Sequence, residues 1–88
     1  LRDYLSWPLS AYVDMLNIVF LASSQKHHIS EQDIVHALTY LVRVEHQEEL
    51  TMIIGPSRKG HMLEIGTSTS EDSIVVFHAM PARRKFLR

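Results

Sequence analysis

The spacing of apolar residues changes part-way along this chain, and that change constrains the fold more than any other feature. In its first quarter, apolar residues recur every three or four positions, which predicts an amphipathic helix from Ser10 to about Ser24. After Tyr40, apolar and charged residues alternate, which predicts strands. The apolar stripe of the first helix consists of Tyr12, Met15, Leu16, Val19 and Phe20.

A second helix is predicted to begin after Ser30, whose hydroxyl can accept the free backbone N–H of Asp33. Short loops between the later apolar runs favour an antiparallel meander, and Pro81 suits the first position of a terminal helix over 82–88. The four predicted strands are Val42–Glu45, Leu50–Ile54, His61–Thr67 and Ile74–Met80, the last apolar on both faces and therefore central.

We therefore expect an α+β fold with N-terminal helices packed on a four-stranded antiparallel β-sheet and a short basic C-terminal helix. The length of 88 residues suits a single domain over 1–88. The chain has no cysteine, which excludes a disulfide scaffold and a thiolate zinc site. Its apolar runs are too short for a membrane helix, and no leader sequence is visible, so we expect a cytoplasmic protein that does not engage a membrane.

Charge is unevenly distributed although the net charge is only −1. Residues 1–50 carry three Lys or Arg against seven Asp or Glu, whereas residues 51–88 carry six against three. A chain of this kind can offer a cationic face to an anion despite its nearly neutral total, or its tails and loops can simply carry solvated charge.

Several other site chemistries have little support. The six histidines show no i, i+4 pair and no H-E-x-x-H arrangement, so we expect no metal site and no cofactor. The chain contains no G-x-S-x-G elbow, no Walker A loop and no G-x-G-x-x-G run.

The strongest constellation is the end of the chain. His78 stands late on the predicted central strand, and Arg83, Arg84 and Lys85 follow within the first turns of the predicted helix. Arginine forks match phosphate oxygens, and an imidazole can move a proton near neutral pH, so this pattern suits a phosphodiester. The alternative is a solvated basic tail with His78 packed in the sheet.

Three stretches resemble BrnT-type toxins, which belong to the RelE-like ribonucleases. Lys26-His27-His28-Ile29-Ser30 resembles the Lys-His-Gly-Ile/Val-Ser step that leads into a helix of that family. Residues 52–65 resemble its hairpin with a basic glycine-containing turn, and residues 74–84 resemble its closing strand and Ala-Arg-rich ending. The family's glycine after Lys-His is His28 here, many members have serine where His78 stands, and residues 1–25 form a longer predicted helical extension.

The resemblance implies a RelE-like fold and a metal-independent endoribonuclease that cleaves messenger RNA. It also implies a partner, a ribbon-helix-helix antitoxin, and operator DNA bound only through the toxin–antitoxin complex. By matching positions, it carries over His27, Arg58, Arg83 and Arg84 as site residues.

The full set of candidates combines both lines of reasoning. His78 or His27 would act as general acid or base, Arg83 and Arg84 would neutralise the scissile phosphate, and Glu64 is a second acid or base unless it simply faces outward. The RNA-binding candidates are Arg58, Lys59, Lys85, Arg88 and Lys26. Two rival functions remain open: a non-enzymatic module that docks its basic C-terminal segment on a protein or nucleic acid, and a small metal-binding protein.

Overall fold

The structure, a computed structural model, describes residues 17–70 and 72–88. Over these residues, one α-helix, α1, spans Glu31–Thr39, and short 3-10 helices span Ala22–Gln25 and Arg84–Phe86. The strands are β1 (Asn17–Phe20), β2 (Arg43–His46), β3 (Thr51–Pro56), β4 (Met62–Thr69) and β5 (Ser73–Pro81). Among the described residues, no helix is long and apolar enough to cross a membrane.

The five strands form one mixed sheet in the order β1-β5-β4-β3-β2. Strand β1 runs parallel to β5, with Ile18 beside Ile74 and Phe20 beside Val76, and the other pairs are antiparallel. The expected four-stranded antiparallel sheet under N-terminal helices is therefore wrong. Strand β5 is interior, but only because the unforeseen β1 covers its second edge.

The prediction of a first helix is wrong over Asn17–Phe20, which form a strand. The part of the predicted helix before residue 17 lies outside the described residues. Ile18 and Phe20 pack against the core, whereas the side chain between them, Val19, is 43% exposed. A run of three apolar residues, Ile18 to Phe20, fits a helical period and a strand period equally well, and β-branched Ile18 and Val19 favour the strand.

Helix α1 begins as predicted. The Ser30 hydroxyl accepts the backbone N–H of Asp33 at 3.1 Å, which satisfies a free donor of the first turn. The helix buries Ile34, Ala37 and Leu38 against β3 and β4. It approaches β3 so closely that a Cβ on Gly55 would collide with the carbonyl oxygen of Ala37, so only glycine fits there.

The register between β4 and β5 contains a bulge. Gly66 pairs with His78 and the next β4 residue, Thr67, pairs with Val76, so Phe77 has no partner on β4. The bulge changes the alternation of β5: Val76 and Ala79 both belong to the core under α1, and His78 is turned to the opposite face.

The C-terminal segment covers part of that opposite face. Phe86 is 3% exposed and packs with Met52 and Ile54. The Arg43 Nη1 atom donates to the carbonyl oxygens of Phe86 at 3.2 Å and Arg88 at 2.6 Å, which ties the segment to β2. The predicted terminal helix is wrong, because Pro81 ends β5 and only the 3-10 turn follows.

A glycine substitution tests the local backbone at His28, the only non-glycine residue with a positive φ in the described part of the chain. Its φ of 61° is left-handed, which is costly for a side chain bearing a Cβ. We expect His28→Gly to stabilise the protein by about 0.5 kcal/mol, because removing the strain exceeds the entropy cost of glycine. Urea denaturation measures the change.

The matched control is His61→Gly, at an exposed loop position where φ is not positive. That variant should lose about 0.5–1 kcal/mol because glycine makes the unfolded chain more flexible. Equal losses in both variants would mean that His28 is not strained.

Candidate functional site

The site is built around the carboxylate of Glu64 in the middle strand, β4, whose side chain is 0% exposed. Its Oε1 accepts the backbone N–H of Arg83 at 2.9 Å, and its Oε2 accepts the Arg83 Nη2–H at 2.9 Å. The Nε2 of His78 lies 2.8 Å from Oε2. The carboxylate therefore holds a neighbouring strand residue and the first residues after β5 in one arrangement.

Two opposing influences act on the Glu64 carboxyl. Burial is the larger single influence and disfavours its charge, but the hydrogen bonds from the Arg83 side chain and backbone and from His78 together lower the pKa below its ordinary value. The same pairing raises the pKa of Arg83 above its ordinary value. Glu64 and Arg83 are therefore an ion pair across the physiological range.

A second imidazole lies beside His78. The ring centroids of His27 and His78 are 6.1 Å apart, and the planes meet edge to face at 79°. Strand β1 explains this proximity: Leu21 N–H donates to the Val76 carbonyl, and the Ser23 hydroxyl donates to the Phe77 carbonyl. The parallel pairing of β1 with β5 thus carries the turn that contains His27 to the side of His78.

These groups border an open cleft of about 550 Å³ on the sheet face opposite α1. One side carries the two imidazoles with Lys26 and Arg83, and the other side is formed by Lys85 with Phe86 and by the β2–β3 hairpin, which adds one amide and two apolar side chains. No Asp or Glu is among the described residues that line it. The lining residues are Ser23, Lys26, His27, Gln47, Leu50, Met52, Phe77, His78, Arg83, Lys85 and Phe86.

Six of the sequence-predicted residues come together here. Lys26, His27, His78, Arg83 and Lys85 line the cleft, and Glu64 lies beneath it as the partner of two of them. The sequence predicts that Glu64 is an acid or base, or an outward-facing residue. It is instead fully buried with both oxygens bound, so it positions Arg83 and His78 and does not face a substrate.

The other four predicted residues do not line the cleft. Arg58 donates its backbone N–H and Nε–H to Asp33 Oδ1 at 3.0 and 2.9 Å, and these bonds lower the pKa of Asp33 to about 2. Lys59 and Arg84 are exposed elsewhere. Arg88 is also exposed, and its carbonyl accepts Arg43.

The role expected for Arg83 also changes. Its charge is balanced by Glu64, so Arg83 offers N–H donors and little net charge; its Nη1 has no bonded partner within the described residues. Residues 82–88 form no α-helix and only a 3-10 turn at 84–86, so no terminal helix end adds positive potential to the cations there. The net positive charge of the cleft comes from Lys26 and Lys85, and from either imidazole when protonated.

Sequence reasoning missed Ser23, Gln47 and Phe77. The hairpin residue Gln47 gives no signal that separates it from other polar loop residues. Phe77 could have been suspected from the glycine of the neighbouring strand, since a glycine inside a strand often marks a bulge. A bulge interrupts the alternation of side chains, so two adjacent residues such as Phe77 and His78 can border one cleft. Opposite this bulge stands Gly66, where a Cβ would lie 2.9 Å from the Cβ of His78.

In the described part of the chain, His, Asp and Glu form no group of three or more that could hold a metal ion. Comparisons with known protein families, curated proteins and solved structures found no match. The geometry and chemistry of the cleft are therefore the structural grounds for a function.

Replacing Glu64 by glutamine tests the ion pair while keeping the size of the side chain. We expect Glu64→Gln to lower the free energy of unfolding by about 1–2 kcal/mol at pH 7, because charge-assisted hydrogen bonds weaken. The loss is not larger because half-exposed Arg83 can still turn to water. The pKa of Glu64 is lowered, so its contribution is complete above about pH 4.5 and is lost as the pH falls through the folded-state pKa. The difference in the free energy of unfolding between wild type and variant should therefore disappear in acid. Urea denaturation at a series of pH values measures it.

The matched control is Glu49→Gln, at an exposed position of the β2–β3 hairpin. Its effect should stay within about 0.5 kcal/mol at every pH. A Glu64→Gln variant as stable as this control at pH 7 would show that the buried pair contributes nothing.

Proposed function

We propose that this chain is the toxin of a type II toxin–antitoxin system and a metal-independent endoribonuclease acting at the cleft. One observation carries the proposal: two imidazoles 6.1 Å apart share the cleft with Arg83 and two lysines, and no acid lines it among the described residues. The resemblance of residues 26–86 to BrnT-type toxins points to the same activity.

The lysines and the arginine have different tasks towards an RNA backbone. Lys26 and Lys85 bring the net positive charge that attracts phosphates. The Lys85 Nζ lies 5.0 Å from the centroid of the buried Phe86 ring, which holds it near the cleft. Arg83 is already oriented by Glu64, so its Nη1, which has no bonded partner within 17–70 and 72–88, can donate to the oxygens that gain charge in the transition state.

The two imidazoles suit internal transesterification of RNA. The ribose 2′-oxygen attacks the adjacent phosphorus, one imidazole takes the 2′ proton, and the other gives a proton to the departing 5′-oxygen. The products are a 2′,3′-cyclic phosphate and a 5′-hydroxyl. His78 is the better base, because a proton on Nε2 donated to Glu64 leaves Nδ1 free to accept, and exposed His27 is then the acid.

A toxin of this kind requires control by a partner. We propose a ribbon-helix-helix antitoxin that covers the basic cleft with an acidic segment, with operator DNA bound only by the complex. The rival function, a non-enzymatic module, is favoured by the exposure of Arg84 and Arg88, which could bind a protein or nucleic acid outside the cleft.

The two histidines should give a bell-shaped dependence of RNA cleavage rate on pH, because one must be neutral and the other protonated. We expect His78→Ala and His27→Ala each to slow cleavage by roughly 10²–10⁴-fold and to remove one limb of the profile. A substrate with 2′-deoxyribose at the cleaved position should stay intact, and cleavage is measured on a labelled oligoribonucleotide without added metal.

The matched control is His46→Ala on β2, because His46 does not line the cleft. It should cleave at the wild-type rate. In cells, wild type should arrest growth unless the neighbouring gene is expressed with it, and His78→Ala should not arrest growth. RNA binding without cleavage and without growth arrest would support the non-enzymatic module instead.

Charge placement is tested by removing two cations at a time. Lys26→Ala with Lys85→Ala should reduce the slope of log affinity against log salt by about 1.4, as expected for two lost contacts to a single strand. The probe is a single-stranded DNA oligonucleotide, which lacks the 2′-hydroxyl and stays intact. Lys59→Ala with Arg84→Ala makes the same charge change outside the cleft and should leave the slope unchanged.

A further inference from the structure

An aromatic ring lies in the cleft and has no role in the proposed chemistry. Phe77 is the bulged residue of β5, is partly exposed, and borders the cleft beside His78. Its ring packs over Gly66: a Cβ added there would lie 3.2 and 3.4 Å from the Cε1 and Cζ atoms of the ring. The absence of a side chain at Gly66 therefore lets the ring lie against the sheet.

The backbone holds this ring in place. Phe77 accepts the Ser23 hydroxyl at its carbonyl oxygen, and the pairs Gly66–His78 and Thr67–Val76 fix the strand on either side. A ring with two side-chain torsions on a fixed backbone loses little entropy when a flat ligand stacks on it.

The surroundings of the ring match the two ends of a nucleotide. Met52, Gly66 and His78 are paired across three adjacent strands, so Met52 and His78 are two strand spacings apart, about 10 Å. Lys26 and both imidazoles stand on the His78 side, whereas Lys85 and the amide of Gln47 stand on the hairpin side with Met52, where Lys85 lies over the Phe86 ring. The Phe77 ring thus lies between groups that can bind a phosphate and an apolar surface that carries an amide.

We infer that the cleft selects unpaired RNA by stacking one nucleobase on Phe77 next to the bound phosphate, with Gln47 at the edge of the base; this inference depends on the proposed ribonuclease function. Aromatic side chains bind single strands in this way because every base has a π-face. Bases inside an A-form duplex are already stacked on each other, so a duplex cannot offer a face to the ring.

The test compares two intact probes that carry the same phosphates. One is a single-stranded DNA hexanucleotide, and the other is the same hexamer with abasic sites. We expect wild type to bind the hexamer with bases about tenfold more tightly, as one stacked base contributes. Phe77→Leu should lower this ratio to about one, and Phe77→Tyr should retain it.

Tyr40→Leu is the matched control, since Tyr40 is 60% exposed and does not line the cleft. It should leave the ratio at the wild-type value, and thermal melting will show which variants are folded. Cleavage of single-stranded RNA should also exceed cleavage of a duplex of the same sequence.

Each outcome separates the two proposals. If wild type binds both probes equally and still cleaves RNA, stacking is overturned and the ribonuclease function stands. If wild type binds neither probe and cleaves no RNA, the proposed function fails. If Phe77→Leu does not fold, the wild-type ratio and the Phe77→Tyr ratio still decide the inference.

Discussion

The buried carboxylate of Glu64 is the interaction on which the rest of the site depends. A charge with no exposure in the middle of an apolar sheet is costly unless it is paired and hydrogen-bonded. Its partners are His78, on the next strand, and Arg83, just beyond that strand. Satisfying this one charge therefore fixes the imidazole, the guanidinium and the start of the C-terminal segment together.

Because Glu64 pairs with Arg83, different residues of the cleft orient hydrogen-bond donors and attract an anion. Arg83 and Glu64 neutralise each other, so their pair orients donors and adds little field of its own. Attraction for an anion then depends on Lys26 and Lys85, which come from opposite ends of the described chain. Binding that depends on two exposed lysines is sensitive to salt, whereas the orientation of His78 by a buried carboxylate is much less so.

Two unpredicted features of the sheet assemble the site. Strand β1, parallel to β5, brings Lys26 and His27 to the cleft. The bulge at Phe77 turns His78 away from the core under α1 and sets an aromatic ring beside it. Glycine at position 66 permits the observed positions of both side chains, because any Cβ there would crowd His78 and Phe77.

The sequence by itself determined α1 with its Ser30 cap and the approximate positions of strands β2 to β5, because capping and alternation are local signals. It also named five of the residues that line the cleft. Only the tertiary structure decided that Asn17–Phe20 is a strand, since its three apolar residues fit either period and pairing with β5 selects one. It also decided that Glu64 is buried and that Arg58 pairs with Asp33, away from the cleft. Those outcomes depend on which residues meet across strands and loops, and spacing along the chain does not encode that.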